Sequence, residues 1–404
     1  MKKIIWISAI LLLLTVSALS VLLWTESWLR ESGREKAIHL LEESFDDVQL
    51  AELDFRWQPT FSGFFTVIAE GSSLAVSLKD RPGVPPFISM KEFSVDLNML
   101  RVWREPVRVR QLRLQELVIR IPPKEKGADE AESSAEEDRG GEGKEIKRIP
   151  PNLVIESLIA DGTTLLILND DPQRDPLRFD LHELETTSVR SDAPLSFEAL
   201  LDNPKPPGQI ATNGEFGPFH PDDVGQTPVS GEYLFEDADL SVFGGIGGIL
   251  SSEGTFGGEL RRIEVEGWTR VPGFFLEPVG KPILLTTEFE AIVDGTSGDT
   301  YLEPVRAKLG NSSFVTRGAV AKEVEGEGKT IVLQAEAGQG RIEDFLRLAV
   351  PSEELLMTGA ITFESKIVIP PEDRDVTEKI FLDGSFQLEG VQFPNEEVQA
   401  KVNE

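Results

Sequence analysis

The residues able to do chemistry in this chain are few. His39, His182 and His220 are its three histidines, they are far apart, and there is no cysteine. Thiolate catalysis, disulfides and Cys-based zinc sites are therefore excluded, and three isolated imidazoles offer little to a metal ion. No serine lies in a G-x-S-x-G elbow, and no histidine is spaced to serve one as base. Gly244, Gly245, Gly247 and Gly248 form a cluster that could be taken for a phosphate loop. It lacks the Lys-Ser/Thr that follows in a P-loop and the strand context of a dinucleotide fingerprint, so a turn or packing role is the reading. Carboxylates are too numerous for spacing to single out an acid/base pair; Glu264 and Glu266, flanking Val265, read as a solvated strand face. His182 continues such a face and reads as solvated. Asn311-Ser312-Ser313 has the form of a glycosylation sequon, of consequence only in a eukaryotic secretory pathway. No catalytic, cofactor-binding or metal-binding residue is assigned, and the chain reads as a non-enzyme without a cofactor.

Charge narrows the partners further. Seventy acidic against 40 basic residues give a formal charge of −30, which argues against a nucleic-acid surface because phosphate contacts need clustered Lys and Arg. One basic island stands out: Arg101, Arg104, Arg108, Arg110, Arg113 and Arg120. Its plain role is strand-face solubility and pairing with the acidic insertion nearby. The alternative is attraction to anionic lipid headgroups, worth about 1 kcal/mol per residue near such a surface.

The elements that would position these groups are strands. From Leu53 onward apolar residues recur with period two, most clearly where Leu177, Phe179 and Leu181 alternate with Arg178, Asp180 and His182. The same alternation marks Ile263 and Val265, Ile283 to Val293, Ile331 to Ala337, and Phe386 with Leu388. Asp294-Gly295 and Ser297-Gly298 turn the chain back into Tyr301 to Leu309, an antiparallel hairpin. Between Val107 and Ile121 the apolar parity flips, which predicts a bulge or corner. Twenty-three Phe, 35 Gly and only two Tyr suit many short strands with a dry interior. Ala238 to Leu250 suggests a short helix despite its glycines, Arg341 to Val350 a better one, and Asn395 to Glu404 the first turns of another. Lys124 to Arg148, between Pro122-Pro123 and Pro150-Pro151, is low-complexity sequence with too few apolar residues to offset ordering, and reads as a disordered insertion.

At the N-terminus, Ile4 to Trp24 carries no charge, and about 20 apolar residues suffice to cross a bilayer core of about 30 Å. Lys2 and Lys3 precede it, and Trp24 and Trp28 follow, which predicts a retained anchor with its N-terminus cytoplasmic and the bulk exported. Cleavage after Ala18-Leu19-Ser20 is the competing reading, but apolar sequence continues beyond it. An amphipathic helix with Leu29, Ile38, Leu41 and Phe45 would follow. The expected divisions are 1–28 as anchor, 29–121 as helix plus first β region, 122–151 as insertion and 152–404 as a second β region.

Phe93 to Pro122 (FSVDLNMLRVWREPVRVRQLRLQELVIRIP), Leu153 to Leu168 and Gly208 to Gly254 resemble the AsmA-like proteins of Gram-negative bacterial envelopes. The resemblance implies an inner-membrane protein whose periplasmic part is a long, curled, mostly antiparallel β-sheet with an apolar groove. It further implies kinship with bridge-like lipid-transfer proteins and a part in outer-membrane biogenesis. It brings no catalytic residues. The chain ends without a closing element, as a fragment or a shorter member would. On this expectation phospholipid is the partner, held by its acyl chains, and Leu112, Leu114, Leu177, Phe179, Leu181, Phe386 and Leu388 are the candidate lining. The alternatives are a scaffold whose open edge assists outer-membrane protein assembly, with assembly proteins as partners, and an anchored hydrolase, for which no polar site is found.

Overall fold

The computed structural model describes residues 47–59, 65–77, 85–98, 107–121, 153–168, 176–190, 193–218, 220, 223–277, 280–322, 328–351, 354–372 and 374–403. The stretches Ile4 to Trp24, Leu29 to Phe45 and Lys124 to Arg148 lie outside them.

The described chain forms two compact units. The first takes the residues up to Leu166 together with Glu183–Leu195. Its strands are β1 (Asp47–Pro59), β2 (Phe65–Ser77), β3 (Ile88–Asn98), β4 (Val107–Gln115), β5 (Val118–Ile121) and β6 (Leu153–Ile167), with the second half of β7 (Leu177–Arg190). β1, β2, β3 and β4 pair antiparallel in sequence order, whereas β4 and β6 run parallel, Val107 opposite Leu153 and Leu114 opposite Ala160. The sheet is thus mixed. Both parity flips have a cause. Across β3 and β4 the register steps from Asp96–Gln111 to Leu97–Val109, so Arg110 is the extra residue of a bulge. Glu116, at φ 51°, then turns the chain between β4 and β5. Each device restores the apolar residues to one side, and Leu114, Leu117 and Ala160 become a buried cluster against which Ile88, Phe93, Leu112, Leu158 and Leu184 pack. A second cluster joins Phe55, Val67 and Ala69.

The other unit takes Ile167–His182 and the chain from Ser196 onward. Its strands are β8 (Leu195–Pro204), β9 (Pro207–Phe216), β10 (Pro228–Asp239), β11 (Ile246–Gly247), β12 (Ile249–Glu259), β13 (Arg262–Leu276), β14 (Ile283–Val293), β15 (Thr300–Leu309), β16 (Ser312–Lys322), β17 (Lys329–Arg341), β18 (Thr358–Ile369) and β19 (Phe381–Gln392). From β12 to β19 every strand pairs antiparallel with the next. Burial alternates residue by residue, as along β13, so one face is dry and the other wet. Register shifts interrupt the pairings from β13 through β19, each adding local bend.

The abundance of both Phe and Gly has a structural cause. Gly71 faces Phe93 across β2 and β3, Gly231 faces Phe256 across β10 and β12, and Gly247 faces Phe275 across β11 and β13. In each pair the ring lies so close over the glycine that a Cβ there would collide with it. In these three pairs a phenylalanine ring covers a cross-strand glycine and brings no phenol oxygen with it.

Among the described residues, three helices punctuate the second unit. Helix α1 (Ile342–Ala349) follows β17 directly and sets Phe345 edge-on to Phe363, with centroids 5.3 Å apart, and near Phe314 at 6.4 Å. Helix α2 (Val376–Lys379) precedes β19, and α3 (Glu396–Asn403) follows it. The expected helix over Ala238 to Leu250 is instead a 3-10 turn at Leu240–Phe243, because Gly244 and Gly245 then adopt φ of 63° and 71°. Gly244 accepts the Val376 amide of α2 at 3.0 Å, and Gly245 accepts the Glu277 amide at 2.9 Å. The glycine cluster is a packing device.

Among the described residues no helix is long and apolar enough to cross a membrane. The expected architecture is corrected accordingly, to mixed β-sheet with short helices and no membrane-spanning helix in the described part. The AsmA-like resemblance, drawn on Phe93 to Pro122, Leu153 to Leu168 and Gly208 to Gly254, implied an anchored protein, and it is withdrawn together with the single-pass inner-membrane topology and the envelope role.

Candidate functional site

The candidate lipid-facing residues differ widely in exposure. Leu114 is 5% exposed and Leu112 packs against its cluster, so both belong to a closed core. Phe179 and Leu181 are half-buried. Phe386 is 70% exposed on β19, with Leu388 half-buried beside it. The backbone of Leu177 opens β7, and its side chain lies outside the described set. Two of the candidate lining residues thus lie inside a core, and the acyl-chain function is corrected: no lipid-holding groove is seen among the described residues.

Polar candidates resolve in the same manner. His182 is exposed, its Nε2 2.7 Å from Asp202 Oδ2. Among the described residues no group of three His, Asp or Glu side chains is placed to hold a metal ion. Arg108 lies 3.9 Å from Glu156 on β6, and Arg120 donates to the Pro86 carbonyl and to Ser89 Oγ at 3.1 and 2.8 Å. These arginines serve the sheet.

A site that sequence reasoning missed lies on the wet face of β13 to β17. Strand register places Arg270, Thr286, Lys308 and Ser313 in one row across four strands. A second row holds Trp268, Glu288, Arg306, Val315 and Glu336. Between them runs the backbone of Thr269, Thr287, Ala307 and Phe314, whose side chains point to the other face. The result is an open trough of about 520 Å³, walled by the two rows. At about 4.8 Å per strand, a trough from β13 to β17 is roughly 19 Å long.

Its electrostatics are unusual for so acidic a chain. Arg270, Arg306 and Lys308 are exposed, and none of them makes an ion pair among the described residues. Glu336 is held by Arg317 at 3.8 Å. Trp268 is 38% exposed, and its Nε1 donates to Glu253 Oε1 on β12 at 2.7 Å, so the polar edge of the indole is occupied. Its backbone is fixed from behind. Ser252 Oγ donates to the Trp268 carbonyl at 3.0 Å and receives Tyr233 Oη, also at 3.0 Å. Desolvation on the dry face pushes the Tyr233 phenol above its ordinary pKa, and the bond to Ser252 pulls weakly the other way. Glu264 and Glu266, read as a solvated strand face, share that face with Trp268 and Arg270; strand pairing, which decides what stands beside them, is not written in any one strand.

No family model and no curated protein matches the chain.

Proposed function

We propose that the chain is a non-enzymatic binding protein whose wet-face trough takes a short acidic oligosaccharide. The observation that carries this is the placement of Arg270, Arg306 and Lys308, free of ion pairs, around a trough that also presents an indole held by its N–H. Charged hydrogen bonds from guanidinium and ammonium groups recognise carboxylate or sulfate. The carbon faces of Trp268 suit the C–H face of a sugar ring, with the aromatic adding apolar contact area. A long polyanion is disfavoured by the net charge of −30, whereas a short one is shielded from most of it at physiological salt, where the screening length is about 8 Å.

The test is calorimetric binding of a galacturonate tetramer to the full chain, against the uncharged galactose tetramer and inorganic polyphosphate of similar length. The acidic sugar should bind, and Arg306→Ala with Lys308→Ala should weaken it at least tenfold, as should Trp268→Ala. Equal binding of the neutral sugar, or binding of polyphosphate that is indifferent to Trp268→Ala, would overturn the assignment.

A further inference from the structure

Among the described strands, β19 carries the clearest unpaired edge. β19 pairs with β18 on one side, Phe363 opposite Phe386 and Ile367 opposite Leu382, and among the described residues no strand or backbone group pairs with its other edge. Leu382 and Phe386, on the dry face, are 66% and 70% exposed. An edge of this length with apolar side chains is a template for another strand.

The sequence of β19 says which strand. We infer that a second copy of this chain pairs with it antiparallel, about a two-fold axis at Ser385. In that register Leu382 faces Leu388, Asp383 faces Gln387, and Gly384 faces Phe386, each relation occurring twice. The dry faces meet, and each Phe386 ring lies over the other copy's Gly384. This repeats the arrangement that the chain already uses at Gly71 with Phe93, Gly231 with Phe256 and Gly247 with Phe275. Neighbouring registers are worse. Moving the axis to Phe386 sets Asp383 against Glu389, and like charges directly opposite destabilise a strand pair. Moving it to Gly384 leaves glycine facing glycine and wastes the ring. Slipping by a single residue turns a wet face onto a dry one. The interface is isologous, so it closes at two copies and does not propagate from this edge. The inference is independent of the trough and its ligand; at the junction it keeps the two wet faces on the same side of the joined sheet.

The absence of cysteine makes the register directly testable. Residues opposite each other in an antiparallel pair are within disulfide reach, and those displaced by two positions are not. In the full chain, Ser385→Cys should form a covalent dimer under mild oxidation, whereas Asp383→Cys and Gln387→Cys should each remain monomeric alone and cross-link when mixed. Light scattering of the unaltered protein should show dimer rising with concentration, and Phe386→Asp should shift that rise at least tenfold higher in concentration while its melting temperature stays put. A protein monomeric at every concentration overturns the inference. So does Gln387→Cys cross-linking by itself as fast as Ser385→Cys, which would place the axis elsewhere.

Discussion

Asp344 of α1 accepts a hydrogen bond from Ser312 Oγ at the start of β16, at 2.8 Å, with Ser312 fully buried and Asp344 3% exposed. The same carboxylate oxygen takes the Asn311 amide at 2.9 Å, and Ser312 Oγ accepts the Arg341 amide at 2.8 Å. One helix is thereby latched to a turn between two strands that precede it. No cation pairs with Asp344 among the described residues, so hydrogen bonds alone compensate its burial.

Removing the latch should be expensive. Asp344→Ala leaves the Ser312 hydroxyl and Asn311 amide without their acceptor, and a loss of about 2 to 3 kcal/mol is expected for bonds to a charged group. Urea unfolding measures it. Ser312→Ala should lose less, and the double variant should fall short of the sum of the two, because both act through one bond.

The glycine cluster makes a second contrast. Gly244 has φ 63° and a Cβ there would strike Asp375, while Gly162 has φ 66° with nothing within 4 Å. Left-handed backbone alone disfavours a non-glycine residue by roughly 1 to 2 kcal/mol. Gly162→Ala should therefore show that penalty only, and Gly244→Ala clearly more, since α2 must move as well. Equal losses in paired thermal melts would show that the contact between the glycine turn and α2 is slack.

Tyr233 predicts an alkaline dependence. Its phenol is raised above the ordinary value of 10.0, first by burial, with the bond to Ser252 opposing. The unfolded chain therefore loses this proton before the folded one does. The contribution is intact below pH 10 and disappears as pH rises from there through the folded pKa. Tyr233→Phe should flatten the alkaline fall in stability. Phenolate absorbance should show Tyr233 ionising above the ordinary value of 10.0, and that component should vanish in Tyr233→Phe.

Much of the β organisation was legible because alternation is a local property. Ile263 with Val265, and Ile283 to Val293, announce their faces within a few residues, and the parity flips around Arg110 and Glu116 were visible as breaks in that rhythm. The Asp294 turn was equally plain: its carboxylate receives the Thr296 amide at 2.8 Å. Helix α1 followed from Ile342, Phe345 and Leu346 at helical spacing. What was not legible depends on partners far away in sequence. Nothing in Val107 to Gln115 tells that it will lie parallel to a strand beginning at Leu153. The trough likewise needs Trp268, Arg306 and Glu336 brought side by side by four successive pairings. The lipid-lining set mixed two environments for a related reason: alternation identifies a dry face, but it does not distinguish Leu114, covered by other elements, from Phe386, left open on β19.

From β13 to β19 the main interfaces of each strand are with its immediate neighbours in sequence, with α1 as the principal cross-brace. Such a stack behaves as a linear array, in which stability is a sum over adjoining pairs and an interior strand is held from both sides. β19, with one strand neighbour among the described residues, has half the support of β15 and opens first, without dragging the far strands with it. Fraying thus begins at the segment that carries the self-complementary edge, so that edge is the most readily exchanged part of the array, and its pairing with a second copy stabilises the last strand of both.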